Sequence, residues 1–330
     1  MAIGSGLAMS FGFKNESAYG TYATPSYFLP VNSASATRVA NRVQGQGISS
    51  GNHGPLAVHY AEATNAGSVQ VSCDFQTVTM GRLLEALMGS STSTTLAAPA
   101  YKQTHTLSDT YGKSLTVQVG APKRGGTVNP HTVQGAKVTS AEFSCETNGI
   151  LSASFTLDGR SWNDTNALVT PSYTAQTQPP FHGGQATVKV GTYGAEASVS
   201  GVRSYSLSIT RPLDTEDYTA GASGLKAEPV LNGFTQITGS LTADWLDEAT
   251  FQDLANATAH KSLVIEHVSA TAITSTYYYL VRFTIPGVLF EQSTQGVDGP
   301  GELTNSWSFT WAYDGTNMPK IEYQTTDSAL

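Results

Sequence analysis

The chain twice carries a strand pattern followed by a short helix pattern. In the first copy, apolar side chains from Val69 to Phe75 alternate with polar ones. A period of two predicts a strand with one apolar and one polar face. An apolar stripe at helical spacing follows, formed by Leu83, Leu84, Leu87 and Met88. Gly89 then stands where the C-terminus of a helix favours glycine, so the pattern predicts a strand and a capped helix.

The second copy has the same order of features. Apolar residues from Ile237 to Ala243 alternate with polar ones, which again predicts a strand. Asp244 or Asp247 can cap a helix carrying Phe251, Leu254 and Ala255. The two units therefore match in order and in type.

Further blocks repeat downstream at comparable spacing. Lys113-Ser114-Leu115 returns as Lys261-Ser262-Leu263, and Thr132 to Gly135 returns as Thr284 to Gly287. Each copy ends on an alternating strand, with Ser154-Phe155-Thr156 in the first and Ser308-Phe309-Thr310 in the second. We infer an internal duplication of a domain of roughly 130 to 150 residues.

The predicted organisation is an aromatic N-terminal arm and two domains joined by a linker. Proline and glycine in the arm argue against regular structure there, so we expect it to lie on its own domain or on a neighbouring subunit. The segment Ser90 to Ala100 reads as a loop, and Asn148-Gly149 as the turn of a β-hairpin. The predicted boundaries are 1–30 for the arm, 31–165 for the first domain, 166–185 for the linker and 186–330 for the second domain.

Composition favours a chain whose surface is covered by other subunits. Only 13% of the 330 residues are charged, and depletion of charge is typical of protein interfaces. A neutral extracellular β-domain is the alternative. With a net charge of -8, the chain has no broad basic surface for binding phosphates.

The cysteines and the N-terminal residues bear on the cellular compartment in which the protein is expected. Cys73 and Cys145 fall on apolar strand faces, and their spacing leaves open whether they pair. The first thirteen residues lack the pattern of a signal peptide, and no run of 18 apolar residues occurs. We expect a soluble protein that is not exported by the general signal-peptide route.

No motif predicts catalysis, a cofactor or a metal. Gly112-Lys113-Ser114 lacks the first glycine of a phosphate-binding loop, and the Gly45 to Gly51 loop is not followed by a helix. The seven histidines show no metal-ligand spacing. The acidic loop Asp214 to Asp217 reads as solvated, and Tyr277 to Tyr279 as a core or interface strand rather than a sugar-stacking platform. We therefore expect no enzyme activity.

Several stretches together resemble the tail tube proteins of long-tailed, siphovirus-type bacteriophages. They are Asn15 to Pro25, Phe28-Leu29, the first strand and helix unit, Ser114 to Val117, and Gly135 to Gly159. The resemblance implies a mainly β fold of two tandem β-sandwich or barrel domains, each with one short flanking helix. It also implies hairpins that join those of neighbours in a ring, and rings that stack into a tube.

The same resemblance implies function and partners. The protein would be part of the virion tail, assembled in the host cytoplasm, with viral DNA in transit and no membrane contact. The implied partners are further copies of the chain, a tape measure protein, a tail terminator and a distal tail protein. Two tube domains per chain favour a homotrimeric ring with pseudo-six-fold symmetry over a hexamer.

Alternation predicts which side chains face the channel. Polar strand faces suit a watery lumen, and apolar faces suit packing on an outer layer. The predicted lumen-facing positions are Ser152, Ser154, Thr156, Ser308 and Thr310.

Two alternative functions remain open. One is a surface binding module that recognises a carbohydrate or receptor, and the other is a glycosidase, which needs paired carboxylates that sequence cannot place.

Overall fold

A computed structural model describes residues 5–48, 51, 53–173, 176–244, 260–291 and 304–328. The protein is mainly β, a sandwich built on a large antiparallel sheet, and the predicted fold class is confirmed. Within the described ranges the single α-helix is α1, Gly81–Met88. The second helix, predicted around Phe251, and the hairpin tip 292–301 lie outside the described residues.

Strands occupy both halves of the chain. They are β1 (Ser10–Asn15), β2 (Tyr27–Leu29), β3 (Ser33–Gln44), β4 (Tyr60–Asp74), β5 (Gly89–Ala97), β6 (Ala100–Leu107), β7 (Leu115–Pro122), β8 (Val128–Glu146), β9 (Ser152–Gly159), β10 (Ser161–Asn163), β11 (Ala186–Thr192), β12 (Ala195–Val199), β13 (Val202–Thr210), β14 (Gln236–Asp244), β15 (Lys261–Ala272), β16 (Tyr278–Phe290), β17 (Thr304–Trp311) and β18 (Lys320–Thr325).

One run of antiparallel pairings joins the two halves of the chain. The order is β3–β4–β9–β8–β13–β14–β17, and the C-terminal end of β16 pairs with β17. The connection between halves is the β8–β13 ladder, in which Ser140 to Glu146 face Thr210 to Ser204. We call these strands the continuous sheet.

The remaining strands pair in three groups. On the first half, β1 and β10 flank β7 and the N-terminal part of β8, with β2 beside β1. On the second half, β12, β11, β15 and β16 are successive neighbours. The C-terminal strand β18 lies between β16 and β6, and β6 pairs with β5.

Two long strands take part in two different pairings. Close to Gly135, β8 changes its partner from β7, paired up to Ala136, to β9, paired from Lys137 onward. Close to Gly287, β16 changes its partners from β15 and β18 to β17, which it pairs with from Val288 onward. Both glycines have positive φ, 65° and 76° respectively. Because residues with a Cβ avoid positive φ, glycine permits the change of direction.

The buried face of the continuous sheet belongs to one apolar cluster drawn from both halves. Phe75 contacts Phe143, Phe181, Phe283 and Tyr323, with ring centroids 5.9 to 6.4 Å apart. The rings of Phe143 and Phe283 are 4.9 Å apart. Side chains from the two halves therefore pack directly on one another.

The structure confirms the first helix and its predicted glycine cap. The apolar stripe of α1 is buried, and Gly89 has a φ of 90° while its amide donates to the carbonyl of Glu85. The hairpin at Asn148-Gly149 is also confirmed, since β8 pairs with β9 across it. Cys73 and Cys145 are both buried and unpaired.

Two predictions about loops are wrong. Gly89–Ala97 forms β5 rather than a loop, because its Ser/Thr-rich backbone pairs with β6 along nearly its whole length. Pro25 and Pro30 flank β2 instead of excluding regular structure. The arm also supplies β1, whose Phe11 and Phe13 are fully buried while the strand pairs with β7.

Candidate functional surface

The side of the continuous sheet opposite the core is lined by small polar side chains. Successive cross-strand neighbours in one row are Ser33, Ser72, Ser154, Glu142, Ser208, Thr238 and Thr310. A second row runs through Asp74, Ser152, Ser144, Ser206, Ser240 and Ser308. We call this surface of the seven strands the polar face. It arises because period-two alternation is in register in all seven strands.

The predicted lumen-facing residues all lie on the polar face. Ser152, Ser154 and Thr156 are half-buried on β9, whereas Ser308 and Thr310 are exposed on β17. Their apolar neighbours point into the core, since Phe155 and Phe309 are each 1% exposed. The structure therefore brings five residues from two distant segments onto one surface, and their role in a channel remains a prediction.

Hydroxyl groups on the polar face bond to one another across the strands. The Oγ atoms of Ser144 and Ser152 are 2.8 Å apart, and those of Ser206 and Ser240 are 2.9 Å apart. Such cross-strand Ser and Thr pairs stabilise a sheet modestly. Apart from Asp74 and Glu142, the two rows present only serine and threonine hydroxyls, and they contain no histidine, lysine or cysteine that could activate a hydroxyl.

Two cations of the seven strands lie at the polar face, and both are paired with carboxylates. The fully buried Lys137 stands opposite Asp158 and pairs with Glu228, and Arg203, at an irregularity of β13, pairs with Asp244. The carboxylates there are Asp74, Glu142, Glu146, Asp158 and Asp244. Asp158 is also paired with Lys226, from the connection between β13 and β14. The surface is therefore neutral to negative.

A loop closes one end of the polar face. This crossover loop, residues 211–235, connects β13 to β14 and lies against the first half of the chain. Nζ of Lys226 donates to both carboxylate oxygens of Asp158 at 2.7 and 2.9 Å. The backbone amide of Asn65 donates to the carbonyl of Gly224 at 3.1 Å. The loop thus spans from β13 across β9 to β4.

A second, more deeply buried ion pair holds the crossover loop. The fully buried Lys137 of β8 pairs with Glu228 and also donates to the carbonyl of Thr110 at 2.6 Å. Burial lowers the pKa of Lys137, and the hydrogen bond and charge of Glu228 oppose that shift. Burial likewise raises the pKa of Asp158, opposed by the hydrogen bond from Lys226. Sequence patterns do not reveal these pairs, because the partners are far apart in the chain.

The N-terminal arm is fixed by one buried carboxylate. Glu16 accepts hydrogen bonds from the amides of Gly20 and Gly135 and from the hydroxyls of Ser114 and Thr116, all between 2.7 and 2.8 Å. A carboxylate with four donors ties the arm to β7 and to the corner of β8. No pattern in the sequence predicts this role of Glu16, because its four donors come from segments up to 119 positions away.

The other sequence motifs have structural roles or do not form sites. In Gly112-Lys113-Ser114, Lys113 pairs with Glu85 at 2.7 Å and Ser114 bonds Glu16. Tyr279 is 6% exposed and Tyr278 is 40% exposed, because successive residues of a strand point to opposite faces. The three tyrosines therefore do not share one platform. Among the described residues, no group of three acidic, histidine or cysteine side chains could hold a metal ion.

The fold and this surface define a mainly β protein whose sheet has a core face and a small-residue polar face. The sequence model of the family described as phage tail tube protein matches residues 6–311. The chain therefore belongs to the phage tail tube protein family and is a structural component of a phage tail. A comparison with curated proteins found no match. None of the helices in the described part of the chain is long and apolar enough to cross a membrane.

Proposed function

We propose that copies of this chain join edge to edge into rings, and that the rings stack into the tail tube through which the phage genome passes. The observation that carries the proposal is the continuous sheet, whose apolar side is already buried within the chain. Its polar side has no hydrophobic surface that must be buried against a partner, so it can line an aqueous channel. Assembly takes place in the host cytoplasm, and the product is part of the virion.

The chemistry of the polar face suits the passage of DNA. Phosphate contacts from lysine and arginine dominate the affinity of proteins for DNA. The polar face presents Ser and Thr hydroxyls together with carboxylates, which repel phosphate. Ser152, Ser154, Thr156, Ser308 and Thr310 would form part of such a channel wall, along which DNA moves without strong attachment.

The order of strands supports three chains per ring. β3–β4–β9–β8 in the first half has the same pairing sequence as β13–β14–β17–β16 in the second. We infer that these are the two copies of a duplicated domain. Three chains then supply six four-strand sets, which gives a ring with pseudo-six-fold symmetry. A hexamer with only one set per chain at the channel is the rival arrangement.

The β8–β13 ladder within the chain indicates how neighbouring chains meet. It places the last strand of the first set beside the first strand of the second set. In a ring, the C-terminal end of β16 in one copy would correspondingly meet β3 of the next. β3 pairs with β4 along one side only within the described residues, which leaves a twelve-residue edge. Closure into a ring covers such edges.

The proposed partners follow from this role. Further copies of the chain form the tube, a tape measure protein occupies or templates it, and terminator and distal tail proteins adjoin its ends. Viral DNA is present only in transit. The role requires neither a cofactor nor enzyme activity.

Electron microscopy of the purified protein over a concentration series tests the proposal. We expect rings or hollow tubes of uniform diameter as concentration rises. Monodisperse single particles at every concentration would contradict it and would redirect attention to a monomeric binding module, to be examined by a glycan screen.

A further inference from the structure

An apolar groove of about 550 Å³ lies at the end of the continuous sheet near β17. Its lining includes Leu107, Leu231, Phe234, Trp311, Tyr313 and Met318. Phe234 is 95% exposed, and Tyr313 is 51% exposed. Apolar side chains grouped at such exposure mark a surface that another chain covers.

A second exposed apolar surface lies on the long hairpin of β3 and β4. At its outer part Val39, Val43, Val58 and Tyr60 are between 45% and 84% exposed. The strands pair as far as Gln44 and Tyr60, so the hairpin continues well past Gly67, where β4 leaves β9. This hairpin and the groove lie at the same end of the sheet, because β4 begins there while β17 and β13 finish there.

The chain contains an internal example of the contact that these two surfaces could make. β13 lies next to β8, and the connection that follows β13, the crossover loop, folds over the ends of β8 and β9. In the pairing sequence, β3 corresponds to β13, and the β3–β4 hairpin corresponds to the crossover loop. In the second set, β16 corresponds to β8 and β17 corresponds to β9. The matching surface is therefore the region after Gly287 of β16 and Thr310 of β17, where the groove lies.

We propose that the β3–β4 hairpin of a second copy, adjacent in the same ring, occupies the groove beside Phe234 and Trp311. This inference rests on the proposed ring. It assigns the groove as the acceptor of a neighbouring chain and the hairpin as the element that links adjacent copies, in the way that the crossover loop links the two halves of one chain.

Charge on the two surfaces is complementary. The hairpin carries Arg38, Arg42 and Glu62, and the pairing of Arg38 with Glu62 leaves Arg42 as its net charge. At the groove, exposed Asp314 follows Tyr313, and Asp214 lies next to the Leu213–Leu231 bridge. The buried Arg211 also lines the groove and donates from Nη2 to the carbonyl of Ser108, so its positive charge offsets one of these carboxylates. The hairpin therefore carries a net positive charge and the surroundings of the groove a net negative charge, and opposite charges favour their contact.

Disulfide trapping in assembled protein tests the inference. The double variant Val43→Cys/Phe234→Cys places one thiol on each exposed surface, while the native Cys73 and Cys145 are buried. After mild oxidation, we expect covalent dimers and trimers on a non-reducing gel, with the trimer as the largest species because three links close a ring. Mixing the two single variants should give dimers only, which shows that the bond is between chains.

The matched control is Val43→Cys/Tyr193→Cys, since Tyr193 is an exposed aromatic residue on the β11–β12 turn. We expect this pair to remain monomeric on the gel. A ladder extending beyond six chains would overturn the inference in favour of contact between rings. Tubes that form without any cross-link would overturn it and leave the proposed function intact, whereas the absence of any assembly would overturn both.

A substitution gives an independent measurement. Phe234→Asp should raise the protein concentration needed for assembly at least tenfold, and Tyr193→Asp should leave it within twofold. Because both side chains are exposed, neither change disturbs the core. Equal effects of the two variants would contradict a specific role for the groove.

Discussion

Gly135 and Gly287 occupy equivalent positions in two different strands. Each has a positive φ, and at each the strand exchanges one set of partners for another. A Cβ at Gly135 would lie 2.7 Å from Cβ of Arg160, and one at Gly287 would lie 2.1 Å from the carbonyl oxygen of Ala312. The repeat seen in the sequence therefore corresponds to a shared backbone requirement.

Alanine at either corner should destabilise the fold. We expect Gly135→Ala and Gly287→Ala each to lower the free energy of unfolding by more than ~2 kcal/mol, because positive φ and steric overlap add. Gly125→Ala is the control, since a Cβ there meets nothing within 4 Å. It should change stability by less than ~0.5 kcal/mol in denaturant titrations. Equal losses at Gly125 and Gly135 would contradict the corner role.

Removing the charge of Glu16 should release the N-terminal arm. Glu16→Gln replaces one acceptor oxygen by an amide group that faces hydrogen-bond donors, at a cost of about 2 to 3 kcal/mol. The loss should appear as faster hydrogen exchange in β1. Glu62→Gln, at a partly exposed ion pair with Arg38, should cost less than ~1 kcal/mol. Unchanged exchange in the Glu16 variant would argue against this anchoring.

Stability should fall on mild acidification because two histidines are buried in the neutral form. Burial lowers the pKa of His267 to about 4 and that of His105 to about 3, from an ordinary 6.5. Between pH 6.5 and pH 4.5 the unfolded state binds more protons than the folded state. Each histidine should therefore remove up to about 1.4 kcal/mol per pH unit as the pH falls.

Substitutions of single histidines test which residue causes the loss of stability at low pH. His267 lies 2.6 Å from the hydroxyl of Tyr205 and 3.1 Å from the carbonyl of His182, a pattern that a neutral imidazole satisfies. His267→Gln should flatten the dependence of Tm on pH between 4.5 and 6.5, whereas substitution of the exposed His53 by glutamine should not. An unaltered slope in the first variant would contradict the assignment.

The shared core predicts one cooperative unfolding transition for the described sheet. Phe75 and Phe143 of the first half pack against Phe283 of the second. Phe75→Ala should cost about 3 to 5 kcal/mol and lower the melting temperature of the whole protein. Phe234→Ala, at an exposed side chain, should cost less than ~0.5 kcal/mol. Two calorimetric transitions, of which only one shifts in the Phe75 variant, would contradict a common core.

A cation on the polar face should make tubes retain DNA. Ser308→Lys adds one exposed lysine per chain to a surface that has none, and phosphate binding should appear at low salt and vanish as salt rises. Ser308→Asn keeps the position polar and uncharged and should leave retention unchanged. Identical DNA retention by both variants would argue that Ser308 does not face the channel.

Local patterns predicted the strands whose two faces differ strongly. β9 and β13 alternate without interruption, and α1 carries a clear stripe, so burial alone fixes which side faces the core. The strand β5 could not be predicted, because its serines and threonines are mostly exposed on both faces and so show no alternation. Its strand conformation depends on pairing with β6, which is a contact that composition does not encode.

The polar face could be predicted strand by strand, but its extent could not. Ser154 and Ser308 were identified from alternation in separate strands. Their common surface depends on the β8–β13 ladder, which aligns residues about 60 positions apart in the chain. The crossover loop depends likewise on Lys226 and Glu228 meeting buried partners from the first half. Periodicity carries no information about such long-range pairing.

Cryo-electron microscopy of the assembled protein tests the central claim most directly. We predict a hollow tube with three chains per ring and six repeated four-strand sets around the channel. The side chains of Ser154 and Ser308 should point into the lumen. A ring of six chains, or a polar face covered by an outer layer of protein, would contradict the proposed arrangement.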